Sequence, residues 1–268
     1  SSLTCCLPKI SSKQKINLSL IITLVVLVFL YLPIMAVVGL SFNTSSNSLI
    51  WKGFGFDWYQ NIWTNEPIIS SFQRTIFVAL VTTFFSLLIG TTISIGLNKM
   101  KAGGFLRTFS TAPAIVPDLV LAIGLLTTFS TISLSLNLRT VIISHTVFCT
   151  AFVVAIVLAR IGLMDPSIEE ASTDLGAGQF KTLFKVTIPQ LMPALIAGAV
   201  LSFTLSMDEF VIAFFTNGPE TPTLPMVIYS MIRFGVTPEI NVLGTLLLAI
   251  SFVGVILAQR IGKVADSI

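Results

Sequence analysis

The chain has 268 residues, of which 54% are hydrophobic and 10% charged, with 21 Phe, a mean hydropathy of +0.95 and a formal net charge of +3. Soluble domains carry about 25% charged residues, so a compact soluble enzyme of this length is excluded, as are a disordered chain, a disulfide scaffold and a nucleic-acid-binding module. The three Cys cannot staple a fold; Cys5 and Cys6 are adjacent and read as reduced thiols, with lipidation as the alternative.

Six stretches carry the roughly 20 predominantly apolar residues that a bilayer crossing needs: 17–42, 73–98, 108–131, 140–160, 190–216 and 240–259. The first is too long for a signal-peptide core and lacks a small-residue cleavage site, so it counts as a span. Short tails, 1–16 and 261–268, flank a transmembrane unit over 17–260. None of the stretches alternates like a barrel strand. The expected fold is an all-α membrane protein, a six-helix bundle with both termini on one side. Eleven Lys and Arg fall on the side of the termini (among them Lys13, Lys99, Arg160, Lys181 and Arg260) and four on the other (Lys52, Arg74, Arg139, Arg233), which places both termini in the cytoplasm.

Between the first two spans, the outer loop 43–72 holds Trp51, Phe54, Phe56, Trp58, Tyr59 and Trp63. Asp57 can cap a short helix there that lies at the headgroup level as an anchor, with contact to an external protein as the other reading. Pro113 and Pro117 interrupt the third span just before Asp118, and a broken helix at membrane depth is tolerated where it lines a cavity. His145, early in the fourth span, reads as a packing residue more readily than as a ligand.

The cytoplasmic loop 161–189 has strong local signals. Asp165 before Pro166 is an N-cap followed by a residue suited to the first helical position, Glu169 and Glu170 sit where the helix dipole favours negative charge, and Gly176 supplies a left-handed stop. A second helical segment over about 178–186 is expected to end before Pro189. The fifth span then carries Asp208 and Glu209 in its outer half. An ionised group inside a span costs about 2.5–3.5 kcal/mol on insertion scales, so buried acids are functional candidates. On a continuous helix Glu209 shares a face with Ser202, Ser206, Ala213 and Thr216, a stripe suited to a wet passage, while Asp208 lines the passage or pairs with another helix. Asp118, Asp208 and Glu209, with Phe210 and Phe214 for cation–π attraction and Ser206 beside them, favour a cationic substrate. The chain has no Gly-rich phosphate loop with a Lys, no metal set and no catalytic set, and is not expected to be an enzyme.

Glu170-Ala171-Ser172, Gly176 and Val186-Thr187-Ile188-Pro189 resemble the EAA loop of bacterial ABC-importer permeases, E-A-A, three residues, G, nine residues, I-x-L-P, with conservative departures at Ser172, Val186 and Ile188. The resemblance implies the type I importer permease fold and a short helix that docks in a groove of a separate ATPase. Glu170, Asp174 and Gly176 would then shape the helix, Ala171 and Leu175 would enter the groove, and Ser172 would not disturb it. Ser206-Met207-Asp208-Glu209-Phe210, Asn217-Gly218-Pro219, Thr223-Leu224-Pro225, Ile228-Tyr229-Ser230 and Gly235 through Asn241 are similar to the second permease subunit of spermidine/putrescine importers, as is Phe54 through Tyr59. That family implies an inner-membrane protein that pairs with a homologous second permease, two ATP-binding subunits holding ATP and Mg, and an external solute-binding protein, with no cofactor of its own. The same machine for ferric iron, sulfate or thiamine, and an ion-coupled secondary transporter, are the alternatives.

Overall fold

The computed structural model describes residues 12–265 except 48, 49, 101, 102 and 236. The tail 1–11, with Cys5 and Cys6, and residues 266–268 lie outside the described residues. Long apolar helices make up most of the described chain: α1 (Ser12–Leu40), α3 (Glu66–Lys99), α6 (Leu138–Ile161), α9 (Ile188–Asp208) and α12 (Pro238–Ala265). Between α1 and α3 lies the short α2 (Asp57–Ile62), and α4 (Gly104–Thr111) and α5 (Asp118–Thr131) follow α3. α7 (Pro166–Asp174) and α8 (Gln179–Thr182) precede α9; α10 (Val211–Thr216) and α11 (Leu224–Phe234) follow it. Five helices, counting the run Gln179–Asp208 as one, are long and apolar enough to cross a membrane, and α4 and α5 make a sixth, broken crossing bent by 96°.

The centre of the bundle is α3, α6 and α9. Lipid tails are as apolar as Leu, so helices in a membrane associate through close packing of small residues and through hydrogen bonds. α3 supplies a buried stripe of Ser71, Thr75, Ala79, Thr82, Ser86, Gly90 and Ser94, three or four residues apart, along the whole of one face. Against it α6 presents Val153 and Val157, which close on Leu191 of α9. The hydroxyls of Ser86 and Ser94 donate across to the carbonyls of Thr146 and Val154, each at 3.4 Å. A Cβ at Gly90 would fall 2.7 Å from Val153 Cγ1, so only glycine lets the two backbones come this close.

Several expected boundaries shift. α3 begins at Glu66, so the outer loop is shorter than 43–72, and hydrogen bonds and ring contacts tie its described residues together. Asn43 Oδ1 accepts from the Ser45 and Lys52 amides, Asn43 Nδ2 donates to the Ile50 carbonyl, and Phe42 stacks on Phe54 and Tyr59. α2 starts at Asp57, whose carboxylate makes no capping bond. Its Trp58, Tyr59 and Ile62 pack inward on Ile68, Leu224, Val242 and Leu243, and Tyr59 OH lies 2.8 Å from Ser41 Oγ. Trp51 and Trp63 stay exposed.

The segment after Gly176 does not end before Pro189. α8 runs through a π-helical turn, Leu183–Thr187, straight into α9. Pro189 has no N–H to give to the Lys185 carbonyl, and the wider turn beside it absorbs that mismatch without breaking the rod. At the other end, the span expected to continue to 216 breaks at Glu209, whose backbone is extended (φ −68°, ψ 107°).

Gly90→Ala should lower the melting temperature of the purified protein through an overpacking cost of about 1–3 kcal/mol, whereas Gly96→Ala, which meets open space, should not. Equal melting temperatures for Gly90→Ala and the parent protein would refute the close approach of α3 and α6.

Candidate functional site

Two regions carry the residues singled out in the sequence: the interrupted end of α9 and the hairpin of α7 and α8. At the first, α9 stops at Asp208 and α10 begins at Val211, leaving Glu209 and Phe210 between them. The Glu209 carboxylate accepts the Ile212 amide at 3.0 Å and so caps α10 from its own chain. Asp118 is the first residue of α5, entered through Pro117 after the short 3₁₀ turn Ala112–Ala114. A helix N-terminus favours a carboxylate there. α5 and α10 pack against α6 through Ala122, Phe148, Cys149 and Ile212. This brings α5 and α10 together, with Asp118 at the start of one and Asp208 and Glu209 just before the other.

Asp118 and Asp208 are exposed and Glu209 is half-buried. The Phe210 ring lies tilted against Tyr229 of α11, centroids 4.7 Å apart, and against Phe214 at 5.4 Å; Phe214 and Tyr229 are 6.2 Å apart. Asp208 and Glu209 therefore lead directly into an aromatic group to which Phe210, Phe214 and Tyr229 contribute. Tyr229 escaped the sequence reading as a site residue because α11 itself was not expected, although Thr223 followed by Pro225 is an N-terminal signal that marks it.

The facing expected for the fifth span does not hold. Ser202, Ser206, Ala213 and Thr216 are all buried in packing, not set along an opening. The helical period cannot be carried across the break at Glu209, and the small residues before it turn to α6. Ser206 Oγ lies 2.9 Å from Nδ1 of His145, and Cys149 Sγ lies 3.6 Å from the Ser202 carbonyl oxygen. On the far side of the break, Thr140 Oγ1 of α6 lies 2.7 Å from the Thr216 carbonyl oxygen, and Val141 packs on Ala213.

The hairpin follows its local signals closely. The Ser167 amide donates to Asp165 Oδ1 at 2.9 Å, and this bond holds the Asp165 carboxyl below the usual carboxylate range. α7 ends in a Schellman arrangement: Ala177 N–H to the Ser172 carbonyl, Gly176 N–H to the Thr173 carbonyl, and Gly176 at φ +80°. Ser172 does not face outward. Its hydroxyl lies 3.0 Å from Thr182 Oγ1, and Thr187 donates to Glu169 at 2.5 Å, so one face of α7 is tied to α8 and the π turn. The opposite face shows Ile168, Ala171 and Leu175 in a helical stripe to solvent, with Leu175 88% exposed. Glu170 and Asp174 are exposed beside it.

An all-helical bundle of five or six crossings, with two interrupted spans and a projecting helical hairpin, defines a membrane permease. The model of the family described as binding-protein-dependent transport system inner membrane component matches residues 86–267, and the chain belongs to that family. It is 38% identical over 237 residues to the spermidine/putrescine transport system permease protein PotC of Escherichia coli K12, covering 88% of this chain and 90% of that one. It is 35% identical over 260 residues to the putrescine transport system permease protein PotI of the same strain, covering 93% and 91%. The fold is shared with a bacterial ABC transporter that imports alginate (TM-score 0.70, 15% identity, 94% of this chain and 96% of that one) and with the MetNI methionine ABC transporter (TM-score 0.64, 18% identity, 75% and 99%).

Because the Asp165 carboxyl is depressed by its bond to the Ser167 amide, the cap is fully formed above the ordinary carboxylate range and is lost as pH falls through the lowered value. Asp165→Ala should speed amide exchange over 166–175 at neutral pH. Asp165→Asn should keep the cap and remove its acid sensitivity. Exchange unchanged in Asp165→Ala would show that packing alone holds α7.

Proposed function

We propose that this chain is one permease half of an ATP-driven importer, and that it moves a polyamine such as spermidine or putrescine inward by alternating access. The observation that carries the reading is that Asp118, Asp208 and Glu209 stand at two breaks whose helices pack together, with Phe210, Phe214 and Tyr229 at the second. Carboxylates offset the desolvation of ammonium groups, and aromatic faces add cation–π attraction. Among the described residues no three acidic, His or Cys side chains converge on one point as a metal ion requires, whereas separated acids suit a substrate with separated charges. The names of the relatives favour the same substrate class.

In this reading both termini are cytoplasmic, as the basic residues favour, and α7 enters a groove of a partner ATPase through Ala171 and Leu175, shaped by Glu170, Ser172, Asp174 and Gly176. The partner holds ATP and Mg. Two such subunits, a homologous second permease and an external solute-binding protein complete the assembly; a relative in fold has been seen with a periplasmic protein carrying alginate pentasaccharide. The membrane-crossing part of α1 has none of its residues buried in this chain, which leaves a face for the second permease. Closure of the ATPases pushes α7, the rod from Gln179 to Asp208 carries the movement, and the acids at its far end change their exposure.

Glu209→Gln should weaken spermidine uptake by reconstituted vesicles about ten- to a hundredfold in kcat/KM, the worth of a charged hydrogen bond. Uptake and putrescine competition left at parental levels would remove the acidic site from the mechanism. Leu175→Asp should leave the permease folded but abolish substrate-stimulated ATP hydrolysis by the assembled complex, since a buried unpaired charge opposes docking; stimulation that persists would place the contact elsewhere.

A further inference from the structure

We propose that His145 is a positioning residue for the acid site: through Ser206 it fixes the last turn of α9, and with it the direction in which Asp208 and Glu209 meet a cationic substrate. The inference deepens the polyamine reading and rests on it.

The geometry is that of a splint. α9 and α10 are separate helices joined by Glu209 and Phe210. A two-residue joint leaves several backbone dihedrals free to aim the acids. α6 lies across the joint and holds both of its ends. Below the break it reaches Ser202 and Ser206 through Cys149 and His145; above it, it reaches Ala213 and Thr216 through Val141 and Thr140. Of these contacts, the bond from His145 Nδ1 to Ser206 Oγ joins side chain to side chain, and it lies two residues from Asp208 and three from Glu209.

A packing role alone does not account for the imidazole. His145 is 1% exposed and Ser206 2%. The second ring nitrogen, Nε2, is buried without a partner among the described residues. An apolar side chain of like size would fill the same space without the penalty of an unpaired polar atom. What imidazole supplies and Leu does not is a directional bond at the δ position, which holds α9 in one rotation and one height relative to α6. Without it the serine hydroxyl can turn to the carbonyl one turn back in its own helix, and the last turn of α9 loses its side-chain tie across to α6.

The test uses the assembled transporter in vesicles with ATP and spermidine as the probe. His145→Asn places an amide where Nδ1 stands, His145→Gln places one where Nε2 stands, and His145→Leu removes both. His145→Leu and His145→Gln should raise the KM for spermidine roughly three- to tenfold, with the maximal rate within about twofold of the parent. His145→Asn should restore most of the KM, and Ser206→Ala added to His145→Leu should raise it no further.

An Asn variant no better than Gln, additive effects of His145→Leu and Ser206→Ala, or an unchanged KM in every variant would overturn the positioning role. Should His145→Leu fail to assemble, the Asn and Gln pair decides alone. Glu209→Gln, measured alongside, separates the two claims. A raised KM there with none at His145 removes the splint and leaves the polyamine reading standing, whereas an indifferent Glu209→Gln removes that reading and the role of His145 with it.

Discussion

An unpaired backbone N–H or C=O costs several kcal/mol in hydrocarbon, and this penalty governs where a membrane helix can be interrupted. The chain breaks two of its spans, before Asp118 and at Glu209, and such breaks are tolerated where the backbone is buried in protein or lines a wet cavity. α5 and α10 pack on α6 through Ala122, Phe148, Cys149 and Ile212, while Asp118 and Asp208 at the helix ends stay exposed. At the second break the freed donor of Ile212 is met by the carboxylate of Glu209 itself. The side chain that makes the interruption tolerable is thus also a candidate for binding. A carboxylate has lone pairs for about four hydrogen bonds, and one backbone amide leaves most of them for an ammonium group.

The same constraint shapes the opposite end of α9. Pro189 and Pro193 both lack an N–H, yet the rod from Gln179 to Asp208 stays continuous, with the π turn at Leu183–Thr187 accommodating Pro189. Thirty residues at a rise of about 1.5 Å make a rod near 45 Å long, which exceeds the hydrocarbon thickness of about 30 Å. In the proposed importer it therefore reaches from the hairpin outside the bilayer to the acids within the spans. The ties from Ser172 to Thr182 and from Glu169 to Thr187 fasten α7 to the near end of this rod, and the bond from Arg160 to the Gln190 carbonyl fastens it to α6. Within the proposed importer, a push on α7 reaches Asp208 and Glu209 along a path with no flexible loop in it.

Features set by local chemistry were legible in the residues. The cap at Asp165, the stop at Gly176 and the break at Pro113 and Pro117 each depend on two or three neighbouring side chains, and each stands where it was expected. The break at Glu209 was not legible, because no Pro or Gly marks Ser206 through Val211. It is bridged by α6, whose bonds to either side span 61 and 76 residues of sequence. Missing it let one helical period place Glu209 on the face of Ser202 and Ser206, which turn to α6. The stripe of small residues on α3 was legible in principle. Its spacing of three and four is that of a helix face, but it runs through Ser, Thr, Ala and Gly, which a search for apolar periodicity passes over.

Exposed hydrophobic side chains do not all carry the same meaning in such a molecule, and the membrane decides between them. Those on α1, such as Phe29 and Leu32, lie along a span and can be covered by acyl chains at no cost. Leu175, Phe180 and Leu163 are at least as exposed, but they lie on or beside a capped, polar hairpin that projects from the bundle, where the solvent is water. About 25 cal/mol is at stake for each Å² of apolar surface left there, and an isolated nine-residue helix is marginal in water on its own. The bonds from Ser172 and Glu169 hold one face of α7 to the bundle and leave the other, with Ile168, Ala171 and Leu175, turned outward. In the proposed importer this capped helix, with its apolar stripe turned outward, meets a protein surface rather than a lipid one, and the family to which the chain belongs is one of transport system components.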